Sequence, residues 1–263
     1  MPTWLLKSAA LAGLSLLAYS AQADVLPATN LTFTDYTGST PKDYFTNVKP
    51  VGWTFGNGGN LIFIDAPGTA DNGSYLSVYG PFPTNSPVGG NFVEADGNPD
   101  YESVFYEQIT GLNPGQTYSL SFYQAAGQQQ GFGNGNSTTE QWVVSLGTSA
   151  LVDTVVGSNG LYSNPDAGAS TVITPMMTTP SGGVTPWQYV TVNLTADSTT
   201  DLLSFLAWGD GGSTVNLPPI VFLSGVNQPD VIPEPATLAL FGLGLLGLGA
   251  SRMRLRPRNN SLA

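Results

Sequence analysis

Residues 111–123 read GLNPGQTYSLSFY. From Gln116 to Tyr123 the side chains alternate: Tyr118, Leu120 and Phe122 fall on one side of an extended chain, and Thr117, Ser119 and Ser121 on the other. A period of two is the mark of a strand with one face buried. Asn113-Pro114-Gly115, just ahead of it, is turn chemistry, with proline presetting one backbone angle and glycine free to adopt a positive one. Working outward, Glu140 to Leu146 alternates in the same way, with Trp142, Val144 and Leu146 on one side, which makes Trp142 a core residue. Residues 104–109, 188–194, 202–208 and 220–226 read as further strands, and 31–34, 53–55, 60–64, 75–79 and 91–95 as shorter ones. Residues 71–73, 131–136 and 181–183 read as loops.

No part of this central region sustains a 3.6-residue period, and Gly and Pro interrupt it too often for helices. No internal repeat is present, which argues against a propeller or solenoid. Many short strands separated by turn signals predict an all-β domain, a jelly-roll β-sandwich over residues 24–228.

The two ends have a different character. Residues 1–23 carry one cation, Lys7, then an apolar run at 9–18, then Ala21-Gln22-Ala23. That order is the logic of a secretory signal peptide, whose partners are the Sec translocon and signal peptidase. It predicts an N-terminal signal helix and a mature chain that begins at Asp24. Residues 229–263 form a polar linker, then Pro233-Glu234-Pro235, an uncharged apolar run from Ala236 to Ala250, and an arginine-rich tail. As a helix over 236–251 the run is roughly 24 Å long at about 1.5 Å per residue, against a bilayer core of about 30 Å. It can span when flanking side chains snorkel. Arg252, Arg254, Arg256 and Arg258 follow at once, and cations in that position stay cytoplasmic, so the body lies outside the cytoplasm. Gly242-x-Gly244-x-x-Gly247 matches a dinucleotide-binding pattern but sits inside this apolar run, without the strand and helix entry that motif needs.

Val-Ile-Pro-Glu-Pro-Ala-Thr, a short apolar run and an arginine cluster resemble the PEP-CTERM sorting signal. The resemblance implies processing near Pro233-Glu234-Pro235 by an exosortase-type membrane transpeptidase. It also implies transient anchoring in the inner membrane, followed by residence in the cell envelope, on the surface or in an extracellular polysaccharide matrix. The body, through residues 81–97, 107–132, 138–147, 203–209 and 217–226, is similar to galactose-binding-like jelly rolls and carbohydrate-binding modules. Such modules often carry Asp-Asn-Val or Asp-Gly-Val in the last strand, where the Asp can lie near a structural calcium ion. This chain has Ser224-Gly225-Val226 there.

Charge and composition exclude several function classes. Of seven basic residues only Lys42 and Lys49 lie between the ends, while all eighteen acids do, so residues 24–251 carry a formal charge of 2 − 18 = −16. Nucleic-acid binding needs a basic footprint and is excluded. There is no Cys and no His, which removes Ser-His-Asp and Cys-His nucleophile systems and any His-ligated metal site. No set of catalytic residues is legible.

Three candidate sites remain. Glu94, Asp96, Asp100 and Glu102 fall within nine residues, a density of hard oxygen ligands that can hold Ca2+, although the spacing is not that of an EF-hand and a solvated acidic turn has the same composition. Gln128, Gln129, Gln130 and Phe132, read as part of a loop over 124–132, offer amide donors and acceptors and a ring for sugar hydroxyls; the same amides can equally satisfy a neighbouring strand. Trp187 and Trp208, close to Gly-rich stretches, are candidate stacking platforms. Glycoside hydrolysis would need two carboxylates about 5 Å or 6.5–9.5 Å apart, with Glu107 and Glu140 or the acidic cluster as candidates. The expectation is a non-enzymatic exported surface or matrix protein that binds polysaccharide. The alternatives are a structural biofilm or envelope protein with no ligand site, and a carboxylate-based glycoside hydrolase.

Overall fold

The computed structural model describes residues 23–40, 43–45, 47–55, 62–66, 77–80, 86–98, 101, 104–131, 136–153, 162–163, 166–210 and 218–228. The expected signal helix and the expected membrane helix lie outside the described residues. Everything regular among the described residues is strand. The order is β1 (Asp24–Val25), β2 (Tyr36–Thr37), β3 (Asp43–Tyr44), β4 (Lys49–Pro50), β5 (Trp53–Phe55), β6 (Ile62–Asp65), β7 (Phe92–Asp96), β8 (Val104–Thr110) and β9 (Thr117–Gln128). There follow β10 (Thr138–Gly147), β11 (Val152–Asp153), β12 (Tyr162–Ser163), β13 (Ser170–Ile173), β14 (Met177–Thr179), β15 (Gln188–Thr195), β16 (Thr200–Asp210) and β17 (Pro219–Ser224).

Two sheets carry the body. The first runs β1-β9-β17-β7-β6-β3, with β15 on the free side of β9; the second runs β13-β10-β16-β8-β5, with β14 also on β10. From β7 onward the chain changes sheet at nearly every connection. β7 pairs with β17, β8 with β16, β9 with β15, and β10 with β14, all antiparallel. Four strands running out and four running back in nested pairs is the jelly-roll topology. The expected fold class is what the structure shows.

The alternation in 117–123 works as expected. Tyr118, Leu120 and Phe122 are buried and join the cluster between the sheets, while Ser119 and Ser121 are half-buried on the outer face. Trp142, Val144 and Leu146 meet them from β10, and Phe105, Leu203 and Phe205 from β8 and β16. Two expectations need correcting. Residues 31–34 are a turn, not a strand: Phe33 N–H donates to Asn30 C=O (3.0 Å), and both residues have positive φ, 52° and 46°. Asn30 organises the turn, its amide donating to the carbonyls of Asp35 (2.6 Å) and Val51 (3.1 Å). This inserts Phe33 edge-on against Trp53, 5.6 Å between centroids. Residues 124–128, expected as loop, continue β9, whose ladder to β17 runs from Ser224↔Tyr123 to Pro219↔Gln128.

The start and end of the body are fastened together. β1 lies parallel to β9, Asp24 beside Tyr118. Asn227, at φ 52°, donates its backbone N–H to Ser121 C=O (2.6 Å) and accepts Ser121 N–H at Oδ1 (3.2 Å). Its Nδ2 donates to Leu26 C=O (2.6 Å). An Asn tolerates the left-handed backbone better than most residues, and its side chain stands in for a strand at this point. Replacing Asn227 with Ala is expected to cost about 1–3 kcal/mol, the usual penalty for stranding buried polar partners, measured as a drop in the urea midpoint.

Candidate functional site

The jelly roll gathers four connections at one end of the sandwich: β7–β8, β9–β10, β14–β15 and β16–β17. Apart from Glu107, in the middle of β8, the described candidate site residues lie on or near these connections. Asp96 ends β7, Gln128 ends β9 with Gln129 and Gln130 just beyond it, Trp187 precedes β15, and Trp208 lies near the end of β16. The sheets are stitched together here. Gly97 N–H donates to Pro219 C=O (2.8 Å), and Gly209 N–H donates to Gly97 C=O (2.8 Å). A Cβ on Gly97 would come within 2.8 Å of the Gly209 nitrogen, so this contact requires glycine.

The candidate residues face three different ways. Gln128 points between the sheets and is fully buried. Its Nε2 donates to Asn136 C=O (3.0 Å) and to Thr138 Oγ1 (3.2 Å), and its Oε1 accepts Gly182 N–H (2.8 Å). Its amide is therefore used in tying the β9–β10 and β14–β15 connections together, and the reading of Gln128 as a sugar contact is corrected. Substituting Gln128 with Leu is expected to lower stability by about 1–3 kcal/mol through the stranded Gly182 N–H and Thr138 hydroxyl, read by chemical denaturation. Gln129 is half-buried, and its backbone N–H donates to Pro218 C=O (3.3 Å). Gln130 is exposed, with Nε2 donating to Val78 C=O (2.9 Å). Phe132 lies outside the described residues.

Two carboxylates at this end are buried. Asp96 ends β7 on the outer side of the first sheet, 1% exposed, with Oδ1 accepting Asn98 N–H (2.7 Å). Burial pushes its carboxyl up to about 7, and that one backbone donor only partly opposes the shift. Glu140 faces inward from β10 and accepts the Thr179 hydroxyl at Oε2 (2.7 Å), while its Oε1 has no hydrogen-bond partner among the described residues. Burial pushes it, too, up to about 7 against the hydroxyls of Thr138 and Thr179. Loss of hydration disfavours the charged form. Glu94, two residues before Asp96, is also fully buried. Asp100 and Glu102 lie outside the described residues. No group of three or more acidic residues among the described residues is placed to hold a metal ion. The acidic turn expected to be solvated is thus buried at its first two members.

The two tryptophans are half-buried. Trp187 packs edge-on against Phe92 (5.8 Å) and Phe222 (6.4 Å) on the outer face of the first sheet. Trp208 lies on the outer face of the second sheet, against the cluster of Val104, Val143, Leu151 and Leu206. The Glu107–Glu140 pair is separated by the register. Glu107 is opposite Leu203 and Glu140 opposite Gly209, on the two flanks of β16. Six residues along a strand amount to about 20 Å at ~3.3 Å each, beyond either glycosidase spacing. Glu107 is engaged elsewhere, accepting the Thr29 N–H (2.9 Å) and the Thr29 hydroxyl.

Comparison with known proteins bears on the other end of the chain. The PEP-CTERM protein-sorting motif matches residues 231–254. The chain carries a PEP-CTERM sorting motif. The match takes in Pro233, Glu234, Pro235, Arg252 and Arg254, and leaves Arg256 and Arg258 just beyond it. A PEP-CTERM motif marks an exported protein associated with the cell envelope. No curated protein matches the chain. Among solved structures it is similar to the CBM22-1–GH10 modules of Clostridium thermocellum xylanase 10B in complex with xylohexaose, at 14% identity and TM-score 0.34, over 74% of this chain and 27% of that one. It is similar also to TmCBM61 in complex with β-1,4-galactotriose, at 8% identity and TM-score 0.31, over 72% and 96% of the two chains. The cleaved adhesin domain K2 of Lys-gingipain is a third, at 14% and 0.30, over 74% and 93%. The chain spans about a fifth to a quarter of the length of the first two structures it matches, 19% of a bacteriophage tailspike domain and 27% of the xylanase. The fold assignment rests on the strand ladders described above.

Proposed function

We propose that this chain is an exported, non-catalytic surface protein of a bacterial envelope or extracellular matrix. Residues 236–251 anchor it transiently in the inner membrane. An exosortase-type transpeptidase then acts near Pro233-Glu234-Pro235, and the jelly-roll body is left outside to bind polysaccharide. The observation that carries the proposal is the PEP-CTERM motif at 231–254, preceded by a body, residues 24–228, with a formal charge of 2 − 16 = −14 and no His or Cys. A strongly acidic body stays soluble and is repelled by anionic lipid. The polysaccharide reading is supported by Trp187 and Trp208, half-exposed on the outer faces of opposite sheets near one end, and by Gln130, exposed at the same end.

Protein recovered from the cell surface, applied to a glycan array with and without calcium, tests the binding role. Retention on a neutral polysaccharide that weakens on Trp208→Ala supports it. Silence across the array removes it and leaves a structural envelope protein.

A further inference from the structure

The placement of the body's two ends assigns one end of the sandwich to the membrane. Asp24 and Val25 lie along the first residues of β9, and Leu26 N–H donates to Ser119 C=O (2.9 Å). Asn227 sits two residues further along, bound to Ser121 and to Leu26. Gln228 is held in turn, its C=O accepting the Tyr189 hydroxyl (3.1 Å). The chain before Ala23 therefore leaves close to the turn at 111–116 and the connection at 196–199, while the chain after Gln228 leaves about midway along β9, beside Ser121 and Tyr189. The turn at 111–116 and the connection at 196–199 form a hydrogen-bonded plate. Gly115 N–H donates to Ala196 C=O (2.8 Å), Ala196 N–H to Gln116 C=O (2.9 Å), and Leu112 N–H to Thr199 C=O (3.1 Å). Buried Asp201 accepts from Asp197 N–H (2.8 Å) and Ser198 N–H (3.1 Å). Asp96, Gln128 and Trp208 lie at the far end.

We propose that this plate, with Asp24 beside it, is the surface of the precursor that faces the bilayer, and that Asn227 fastens it there. The inference rests on the sorting reading of the tail. Seven residues, 229–235, separate Gln228 from the apolar run that begins at Ala236. Even fully extended they reach about 25 Å at ~3.3–3.6 Å each. From Ser121 to Gln128 the first sheet rises about 23 Å at ~3.3 Å per residue. Turning the far end to the lipid would need the tether close to its full length, at the greatest entropic cost, whereas Gln116 of the plate, five residues from Ser121, is about 16 Å away at ~3.3 Å per residue and leaves roughly 9 Å of slack. The plate meets lipid through the tether and not by adhesion, because Asp24 and Asp197 give it negative charge and no cation is present at 111–116 or 196–199. The four long connections with Gln130 and Trp208 are thereby presented outward. The processing enzyme must work close against the body: the four residues between Gln228 and Pro233 span at most about 14 Å, less than the ~30 Å width of a small domain.

The sequence has no Cys, so a single introduced thiol takes a fluorophore cleanly. Full-length precursor carrying Pro114→Cys or Tyr101→Cys, the first on the plate and the second beside Asp96 and Asn98, is labelled in membranes containing a headgroup-attached nitroxide quencher. Val25→Cys is a second reporter for the plate if Pro114→Cys does not fold. The expected result is loss of most of the fluorescence at 114 or 25 and its retention at 101, with the contrast reduced by Asn227→Ala. Equal quenching at the two ends overturns the orientation and leaves the sorting reading intact. A contrast unchanged by Asn227→Ala overturns the role of Asn227. A labelled precursor that does not sediment with membranes overturns the sorting reading and this inference with it.

Discussion

Truncating Phe205 to Ala is expected to destabilise the body by about 3–5 kcal/mol, the range for deleting a buried aromatic ring. The ring sits where the two sheets meet. It stacks on Phe105 at 5.3 Å with the planes 11° apart, and makes edge contacts with Phe122 of the opposite sheet at 5.4 Å and with Trp142 at 6.0 Å. Trp53 lies 6.0 Å away on a further side. No side chain in this cluster can move into the cavity without breaking another ring contact, so the site collapses poorly and the cost stays high. Equilibrium urea denaturation, followed by tryptophan fluorescence, measures it.

Stability should also fall as pH rises from about 5 to about 8. Asp96 and Glu140 both have carboxyls raised to about 7 by burial. Up to about pH 7 the folded protein holds these protons and the unfolded chain does not, so deprotonation favours unfolding. Stability contributed by the two groups is present at low pH and is lost as pH rises through the folded value. With each pH unit worth about 1.4 kcal/mol, the loss is on the order of 2–3 kcal/mol per group across the window. Glu107, raised by burial against the Thr29 hydroxyl and N–H, adds in the same direction. Glu140→Gln, which keeps an acceptor for the Thr179 hydroxyl and cannot ionise, should remove one share of this slope. A urea midpoint that is flat from pH 5 to pH 8 would contradict the assignment.

Much of the fold was legible because burial in a sandwich is written in a period of two. Residues 117–123 and 140–146 show it plainly, since their inward positions are apolar and their outward positions mostly are not. The same rule failed along the rest of β9. At Gln124 and Gln128 the inward residues are polar, and Ala125 and Gly127 on the other face are small, so the pattern looked like loop. The smallness has a cause: Gly127 lies under Val78, and a Cβ there would be 2.4 Å from its methyl carbon. β13 and β14 are short, flank Pro175 and pair only with the edge of β10, so their pattern never develops. Residues 31–34 looked like a strand because Leu31 and Phe33 alternate with threonines, and a turn that buries Phe33 has the same spacing.

The candidate site was legible in composition and not in direction. Acids, glutamines and tryptophans far apart in sequence do come to one end, through the jelly-roll nesting of strand pairs. Whether each faces solvent depends on register, which separates Glu107 from Glu140 and buries Gln128 among backbone donors and acceptors. Nothing in the local sequence around Gln128 distinguishes it from Gln130, two residues on. The tail, by contrast, was readable outright, since its information is linear: a triplet, an uncharged run and a cluster of cations in fixed order.

The central claim is that both ends of this chain are addresses, removed in turn, and that the acidic sandwich between them is the functional molecule. Intact mass of the protein recovered from the cells that make it tests this most directly. The account predicts a species that begins at Asp24 and ends near Pro233-Glu234-Pro235, well below the 27.5 kDa of the whole chain. A single soluble species at 27.5 kDa, running from Met1 to Ala263, would contradict it.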